Sequence, residues 1–337
     1  MKIAPRHLLI FLILTRLILF FLPLINPDWT WNRWDGPHYL YLAQHGYTNV
    51  GDEANFIVFL PTFPLLVRAG LLLAANPEIV ASGLSSILFI IAAVVFYKIS
   101  SAKTVFLLTI FPTSFFFSAP YTESLFLLLI SLVFLFAINK RWLPAGLAAG
   151  LLTLTRPFGF LVVAALLVEW LSSEKKRVRE LSAIIVPSAL AIMAYLYLNK
   201  AVYSDFFAFQ KILNQNWYKS FEFPWRGIIS SLKREDIMTG VVEGLTSIVA
   251  WAFIPISFVK KFKIKFSYRL YYLLGVVMFT STSFILSTPR YLLSLPPFFM
   301  ILARLLENKI LFAVWTVLSA AGFVYLTQLF LRGQWAF

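Results

Sequence analysis

Residues 56 to 75 read Phe56-Ile57-Val58-Phe59-Leu60-Pro61-Thr62-Phe63-Pro64-Leu65-Leu66-Val67-Arg68-Ala69-Gly70-Leu71-Leu72-Leu73-Ala74-Ala75. The stretch is apolar enough to be counted as a membrane crossing. Pro61 and Pro64, however, remove backbone donors and Arg68 would lie in hydrocarbon. Its reading decides the topology, because counting it as a crossing inverts every later loop. Read as a re-entrant or interfacial piece, it leaves Lys2, Arg6, Lys98, Lys103, Lys140, Arg141, the run Glu174 to Glu180, the Lys260 to Lys265 cluster, Arg304 and Lys309 on one side. By the positive-inside rule that side is cytoplasmic.

Outward from this stretch the chain is dominated by apolar runs, many of them about 17 to 25 residues long, the length that crosses a bilayer. They fall near 6–25, 77–97, 103–119, 121–139, 143–155, 157–171, 181–199, 240–259, 268–286, 290–306 and 310–331. The expected fold is all-α, a polytopic transmembrane bundle of about eleven spans with interfacial or re-entrant segments in the first outer loop. A composition that is 60% hydrophobic and 13% charged over 337 residues, with a mean hydropathy of +0.81, excludes a water-soluble domain. A β-barrel would show alternating segments of about ten residues instead. The net charge of +14 sits in loops between spans, so it sets orientation and gives no reason to expect a nucleic-acid partner. With no cysteine, disulfides and thiolate metal sites are excluded. Lys2 and Arg6 before the first run mimic a signal peptide, but the run is long and lacks a small-residue cleavage site, so an uncleaved first helix is expected.

The opposite, extracytoplasmic side then receives the loop 26–55, the Tyr121 turn, the Thr155 to Gly159 turn, the loop 200–239, the Ser287 to Arg290 turn and the C-terminus. Runs 143–155 and 157–171 are short for a bilayer, which puts Arg156 and Pro157 at a hairpin tip below the outer surface. Irregular backbone at that depth needs protein or a water-filled cavity around it. The first loop, Trp31-Asn32-Arg33-Trp34-Asp35-Gly36-Pro37-His38-Tyr39 through Gly46-Tyr47, is the most unusual stretch. A short helix beginning at Pro37 would put Asp35 at or beside its cap, so the residue alone reads equally as a cap or as a catalytic group.

Several segments together carry a resemblance. Trp34-Asp35-Gly36-Pro37-His38-Tyr39 through Gly46-Tyr47 resembles the WD-containing first-loop signature of the PIG-V mannosyltransferases, of the GT-C class of membrane glycosyltransferases. In the same order follow Phe59 to Pro64, similar to the "FPLYP" element with Thr62 and Phe63 for Leu and Tyr, and Tyr121 to Phe126, similar to "Y-[ST]-E-S-[LF]-F". Thr155 to Gly159 then resembles "[TS]R-x-x-G", and Pro289-Arg290-Tyr291 resembles "PRY". Loop 200–239 resembles the family only weakly. The resemblance implies one integral membrane domain over 1–337. Its parts would be a GT-C-like catalytic module at 1–199 containing the first outer loop 26–76, the outer loop 200–239, and C-terminal spans at 240–337.

It also implies an inverting transfer of mannose, or a related hexose, from a polyprenyl- or dolichyl-phosphate donor to an acceptor hydroxyl of a glycan, glycolipid or protein. The site would face the extracytoplasmic or lumenal side of the cell membrane, or of the endoplasmic reticulum in a eukaryote. Asp35 matches the family's catalytic aspartate. Such a reaction needs a base for the acceptor and positive charge on the departing phosphate, so no metal or cofactor is expected. Glu123 either binds sugar hydroxyls and assists the base, or only complements a helix dipole. Arg156 and Arg290, each beside a proline, either hold the donor phosphate or snorkel to headgroups. Trp34, His38, Tyr121 and Tyr291 flank these groups as substrate or donor contacts; His38 would share a helical face with Asp35. Gln210, Asn214 and Trp217 have i, i+4, i+7 spacing and either cover the site or form a solvated face. Arg16, about 15 Å into the first run, should pair inside the bundle. The rival functions are a transporter or flippase for a lipid or amphipathic solute, and a membrane scaffold.

Overall fold

The computed structural model describes residues 4–174 and 177–337. Lys2 and the Lys175–Lys176 part of the basic run lie outside the described residues. Among those described, regular structure is helical apart from one isolated bridge between Phe221 and Thr282.

The first helix, α1 (Pro5–Phe21), opens with proline at a position where a missing N–H costs nothing. The first loop carries α2 (Gly36–His45), a 3-10 segment Asp52–Val58 and α3 (Thr62–Gly70). At nine residues α3 is about 14 Å long, half of what hydrocarbon requires. It packs on α2, and Thr62 N–H donates to the Leu154 carbonyl (3.2 Å) while Arg68 Nε donates to that of Ala43 (2.6 Å). The 56–75 stretch therefore folds back along one end of the bundle, and Arg68 is spent on the C-terminal turn of α2. Asn76 then caps α4 (Pro77–Ile99), accepting from the N–H groups of Glu78 and Ile79.

After α5 (Ala102–Thr109) come α6 (Glu123–Ile138), α7 (Trp142–Thr153), α8 (Val162–Leu171) and α9 (Val178–Tyr203). The second long loop holds α10 (Ala208–Gln215) and α11 (Pro224–Leu232). The C-terminal part contains α12 (Glu243–Ser257), α13 (Phe266–Thr280), α14 (Thr288–Tyr291), α15 (Pro296–Leu305) and α16 (Lys309–Leu331).

The eleven apolar runs form helices of very different length. Among the described residues, five helices are long and apolar enough to cross a membrane: Pro5–Leu24, Pro77–Ile99, Val178–Tyr203, Ile237–Ser257 and Lys309–Leu331. The runs 121–139, 143–155 and 157–171 are shorter apolar helices. Run 103–119 stops at Thr109 and resumes as a 3-10 turn, Ser114–Phe117; run 268–286 ends at Thr280; run 290–306 is interrupted at Leu292–Leu295. Prolines explain two of the breaks. Pro112 follows α5, and Pro296-Pro297 cannot donate to the turn before them.

Breaking a helix inside an apolar bundle strands backbone carbonyls, and the fold satisfies them with side chains. Arg16, which is 1% exposed, donates to the Ser114 carbonyl (3.0 Å) and Ser118 Oγ (3.3 Å), with its guanidinium 4.5 Å from the Phe89 ring centre. Its partner is thus the broken segment itself. Thr113 Oγ1 donates to the Pro289 carbonyl (2.9 Å), tying the first break to the turn that carries Arg290. The C-terminus closes the same end: Arg33 donates to the Leu331 carbonyl (3.2 Å), and Trp34 packs edge-on against Trp335.

Candidate active site

Two close backbone approaches build the site. A side chain at Gly36 would come 3.1 Å from Pro120 Cγ, so α2 starts in contact with the turn that launches α6. There the Tyr121 hydroxyl accepts from Asp35 N–H (3.0 Å) and donates to the Arg33 carbonyl (2.8 Å). At Gly159 a Cβ would fall 2.2 Å from the Leu152 carbonyl oxygen, an impossible contact, so only glycine lets the Thr155–Gly159 hairpin turn back on α7 with Arg156 at its tip.

These turns bring four charges from four remote parts of the chain into one row. Arg290 Nη1 donates to Asp35 Oδ2 at 3.0 Å, Arg290 Nε lies 3.5 Å from Glu123 Oε1, and Arg156 Nη1 donates to the same Glu123 oxygen at 2.9 Å. Arg156 also donates to Ser294 Oγ (3.1 Å), whose backbone carbonyl accepts from the Tyr271 hydroxyl (3.0 Å). Both guanidinium groups lie over the Tyr291 ring, and Arg290 also over Phe116 and Tyr121. Aromatic faces and paired carboxylates make the burial of two arginines tolerable.

The carboxylates differ in access. Asp35 has 24% of its side chain exposed, whereas Glu123 has none and its second oxygen has no hydrogen-bond partner. Only Asp35 is reachable by an incoming hydroxyl. Although Asp35 occupies the cap position of α2, its side chain makes no capping hydrogen bond and turns to Arg290 instead.

Among the other residues singled out in the sequence, His38 stacks against Phe56, Phe59 and Trp217 with Nδ1 unpartnered. Burial pushes the His38 imidazole down against the opposing pull of Asp35. Trp217 joins that aromatic group, not a face of α10, which ends at Gln215; its indole N–H is buried without a partner. Gln210 remains on α10, and no described contact joins it to the four charges. Trp34, held at a positive φ of 52°, points to Trp335.

Four residues not singled out in the sequence also belong here. Tyr39 feels the charges of Asp35, Glu123, Arg156 and Arg290, and burial keeps its hydroxyl protonated by pushing it well up. Glu243 accepts from the N–H groups of Ser287 and Thr288, the latter at 2.8 Å, and so holds the turn that presents Arg290. Ser294 holds Arg156. Lys219, half-buried against Phe284, pulls the Tyr291 hydroxyl below its ordinary value, with Arg290 and Arg156 acting in the same direction. Its segment is laced to residues 281–283 by Ser283 N–H to the Ser220 carbonyl (2.9 Å) and Glu222 N–H to that of Ser281 (3.2 Å). Beside Arg156, a cavity of about 270 Å³ lined by Leu60, Leu154, Pro157, Tyr195, Phe209 and Met278 runs between α9 and α10.

No protein-family model matches the chain, and no curated protein matches it in sequence. In structure it is similar to ArnT from Cupriavidus metallidurans bound to undecaprenyl phosphate, with a TM-score of 0.58 at 13% identity over 97% of this chain and 72% of that one. At that identity the likeness shows the fold. The chain is a polytopic helical membrane protein that shares its fold with ArnT.

Proposed function

We propose that the chain is an inverting glycosyltransferase that moves a hexose from a polyprenyl-phosphate carrier to an acceptor hydroxyl on the extracytoplasmic face. The sequence resemblance favours mannose as the sugar. The observation that carries this reading is the row Asp35–Arg290–Glu123–Arg156, a reachable carboxylate set against two buried arginines. In the reaction the acceptor oxygen attacks the anomeric carbon from the face opposite the phosphate, and its proton passes to Asp35. The bond from that carbon to the phosphate oxygen breaks, and its electron pair leaves on the polyprenyl phosphate. Arg290 fixes Asp35 Oδ2 and leaves Oδ1 for the acceptor.

Two carboxylates and two arginines cancel, so a donor phosphate needs a further cation. Lys219, beside Tyr291, fits that role, with the arginines sharing the charge that grows on the leaving group. The apolar cavity beside Pro157 suits an isoprenoid segment. The alternative of a transporter is disfavoured because Arg16, the one described arginine deep in a long span, is spent on the broken helix. The likeness to a protein bound to undecaprenyl phosphate supports a polyprenyl-phosphate donor.

The test is incubation of purified protein with undecaprenyl- or dolichyl-phosphate hexoses and an extract of membrane glycolipids and glycans. The reading expects polyprenyl phosphate released in step with hexose transfer. Movement of lipid across proteoliposomes with no cleavage would favour a flippase.

A further inference from the structure

At the other end of α6 from Glu123, about 22 Å along the helix at 1.5 Å per residue, lies a second cavity of about 370 Å³, with a mixed polar and apolar lining. The first turns of α5 and α13 meet there, with the last turn of α15. Four cations line it: Lys103, Lys263, Lys265 and Arg304. The one carboxylate in the lining, Glu307, is held by Lys261 at 2.8 Å. Lys265 reaches Glu169 only at 3.6 Å, while Lys103, Lys263 and Arg304 have no ion pair among the described residues. Lys103 Nζ instead donates to the carbonyl of Leu306, the residue that caps the C-terminal end of α15.

The signal that sets this cluster apart from a solvated basic face is Tyr268. Its ring packs at 4.2 Å on Phe134, the residue lines the cavity at 4% exposure, and its hydroxyl is buried with no hydrogen-bond partner. A buried phenol without a partner costs free energy unless something brought to the cavity accepts its proton. The N-terminal turns of α5 and α13 supply positive dipole ends; Ser101 caps the former, while Lys265 gives the latter no side-chain cap. Lys263, in the basic turn that lines the cavity, sits at φ 51°, a left-handed conformation unusual for lysine.

We propose that this cavity is a binding site for a phosphate anion carried by an anionic phospholipid headgroup. Ile99, Ile138, Phe262, Ile264 and Met300 share its wall, so the site offers apolar surface beside its cations at the basic end of the bundle. Basic pockets between helices at this level suit phosphodiester headgroups. Nothing in this inference depends on the reaction proposed for the Asp35 site.

The experiment is native mass spectrometry of the full chain, purified and delipidated, with phosphatidylglycerol or phosphatidylcholine of matched acyl length added. Phosphatidylglycerol should be retained at least about tenfold better, since both lipids offer the phosphodiester but the quaternary ammonium of phosphatidylcholine offsets its charge and is repelled by these cations. Arg304→Gln should cut this preference several-fold, and Tyr268→Phe, which removes no charge, should cut retention of phosphatidylglycerol itself several-fold. Equal retention of the two lipids, or unchanged phosphatidylglycerol retention in both variants, would overturn the proposal. Displacement of phosphatidylglycerol by millimolar inorganic phosphate as effectively as by excess lipid would assign the cavity to free phosphate and overturn the lipid assignment.

Discussion

Arg290 joins Asp35 across 255 positions of sequence at 3.0 Å while the Nε of the same guanidinium faces Glu123 at 3.5 Å. One planar group therefore organises both carboxylates, a task that a lysine, with one point of charge, cannot do at two places. Arg290→Lys should lower single-turnover transfer by about 10- to 100-fold, in keeping with loss of one or two charge-assisted hydrogen bonds, and Arg290→Ala further still. Wild-type turnover in the lysine variant would mean that the fork geometry is unimportant.

Arg156 and Glu123 form a pair whose side chains are 9% and 0% exposed. Removing one partner of a buried pair leaves an uncompensated charge, at a cost of about 3–5 kcal/mol. Arg156→Ala should therefore lower the thermal midpoint of the detergent-purified protein clearly, and Glu123→Gln combined with Arg156→Gln should recover most of the loss. Transfer should stay impaired in the double variant. Equal midpoints for the single and double variants would contradict the pairing as the source of the instability.

Lys219 lies on a segment laced to residues 281–283, and it is the cation proposed for the donor phosphate once the four charges cancel. Lys219→Gln should raise donor KM about tenfold with little change in thermal midpoint, because the side chain is only half-buried and loses a contact to phosphate alone. An unchanged donor KM would remove Lys219 from the donor site.

Val50 and Lys263 lie at opposite ends of the bundle and both are exposed. In a chain with no native cysteine, Val50→Cys should react with an impermeant thiol reagent applied from outside the cell, and Lys263→Cys only after permeabilisation. The reverse pattern would invert the membrane orientation while leaving the site intact.

Much of this arrangement was legible in the sequence because the relevant residues break local rules. Arg156 and Arg290 sit beside prolines at the ends of apolar runs, and Asp35 stands among tryptophans. All three, with Glu123, come together in space. The non-crossing reading of 56–75 followed from Pro61, Pro64 and Arg68, and α3 shows why: it is too short to cross and is tied at Thr62 and Arg68 to one end. What stayed hidden depends on tertiary contacts without local signature. Glu243 opens an ordinary apolar run yet caps the Arg290 turn from 44 residues away, and the hydropathy of 103–119 and 290–306 conceals their interruptions. Trp217 and Gln210 share helical spacing, but α10 ends between them and only Trp217 reaches His38.

The central claim is that Asp35 accepts the acceptor's proton, and Asp35→Asn tests it most directly. Asparagine is nearly isosteric, can still accept from Arg290 and is an equally good cap residue, so fold and donor binding should persist. The measurement is single-turnover transfer from a saturating polyprenyl-phosphate hexose, with the thermal midpoint recorded on the same preparation. The expected result is a rate lowered by about 10² to 10⁴ at a nearly unchanged midpoint, the loss associated with a positioned general base. Transfer at close to the wild-type rate would contradict the account and take Asp35 out of the chemistry.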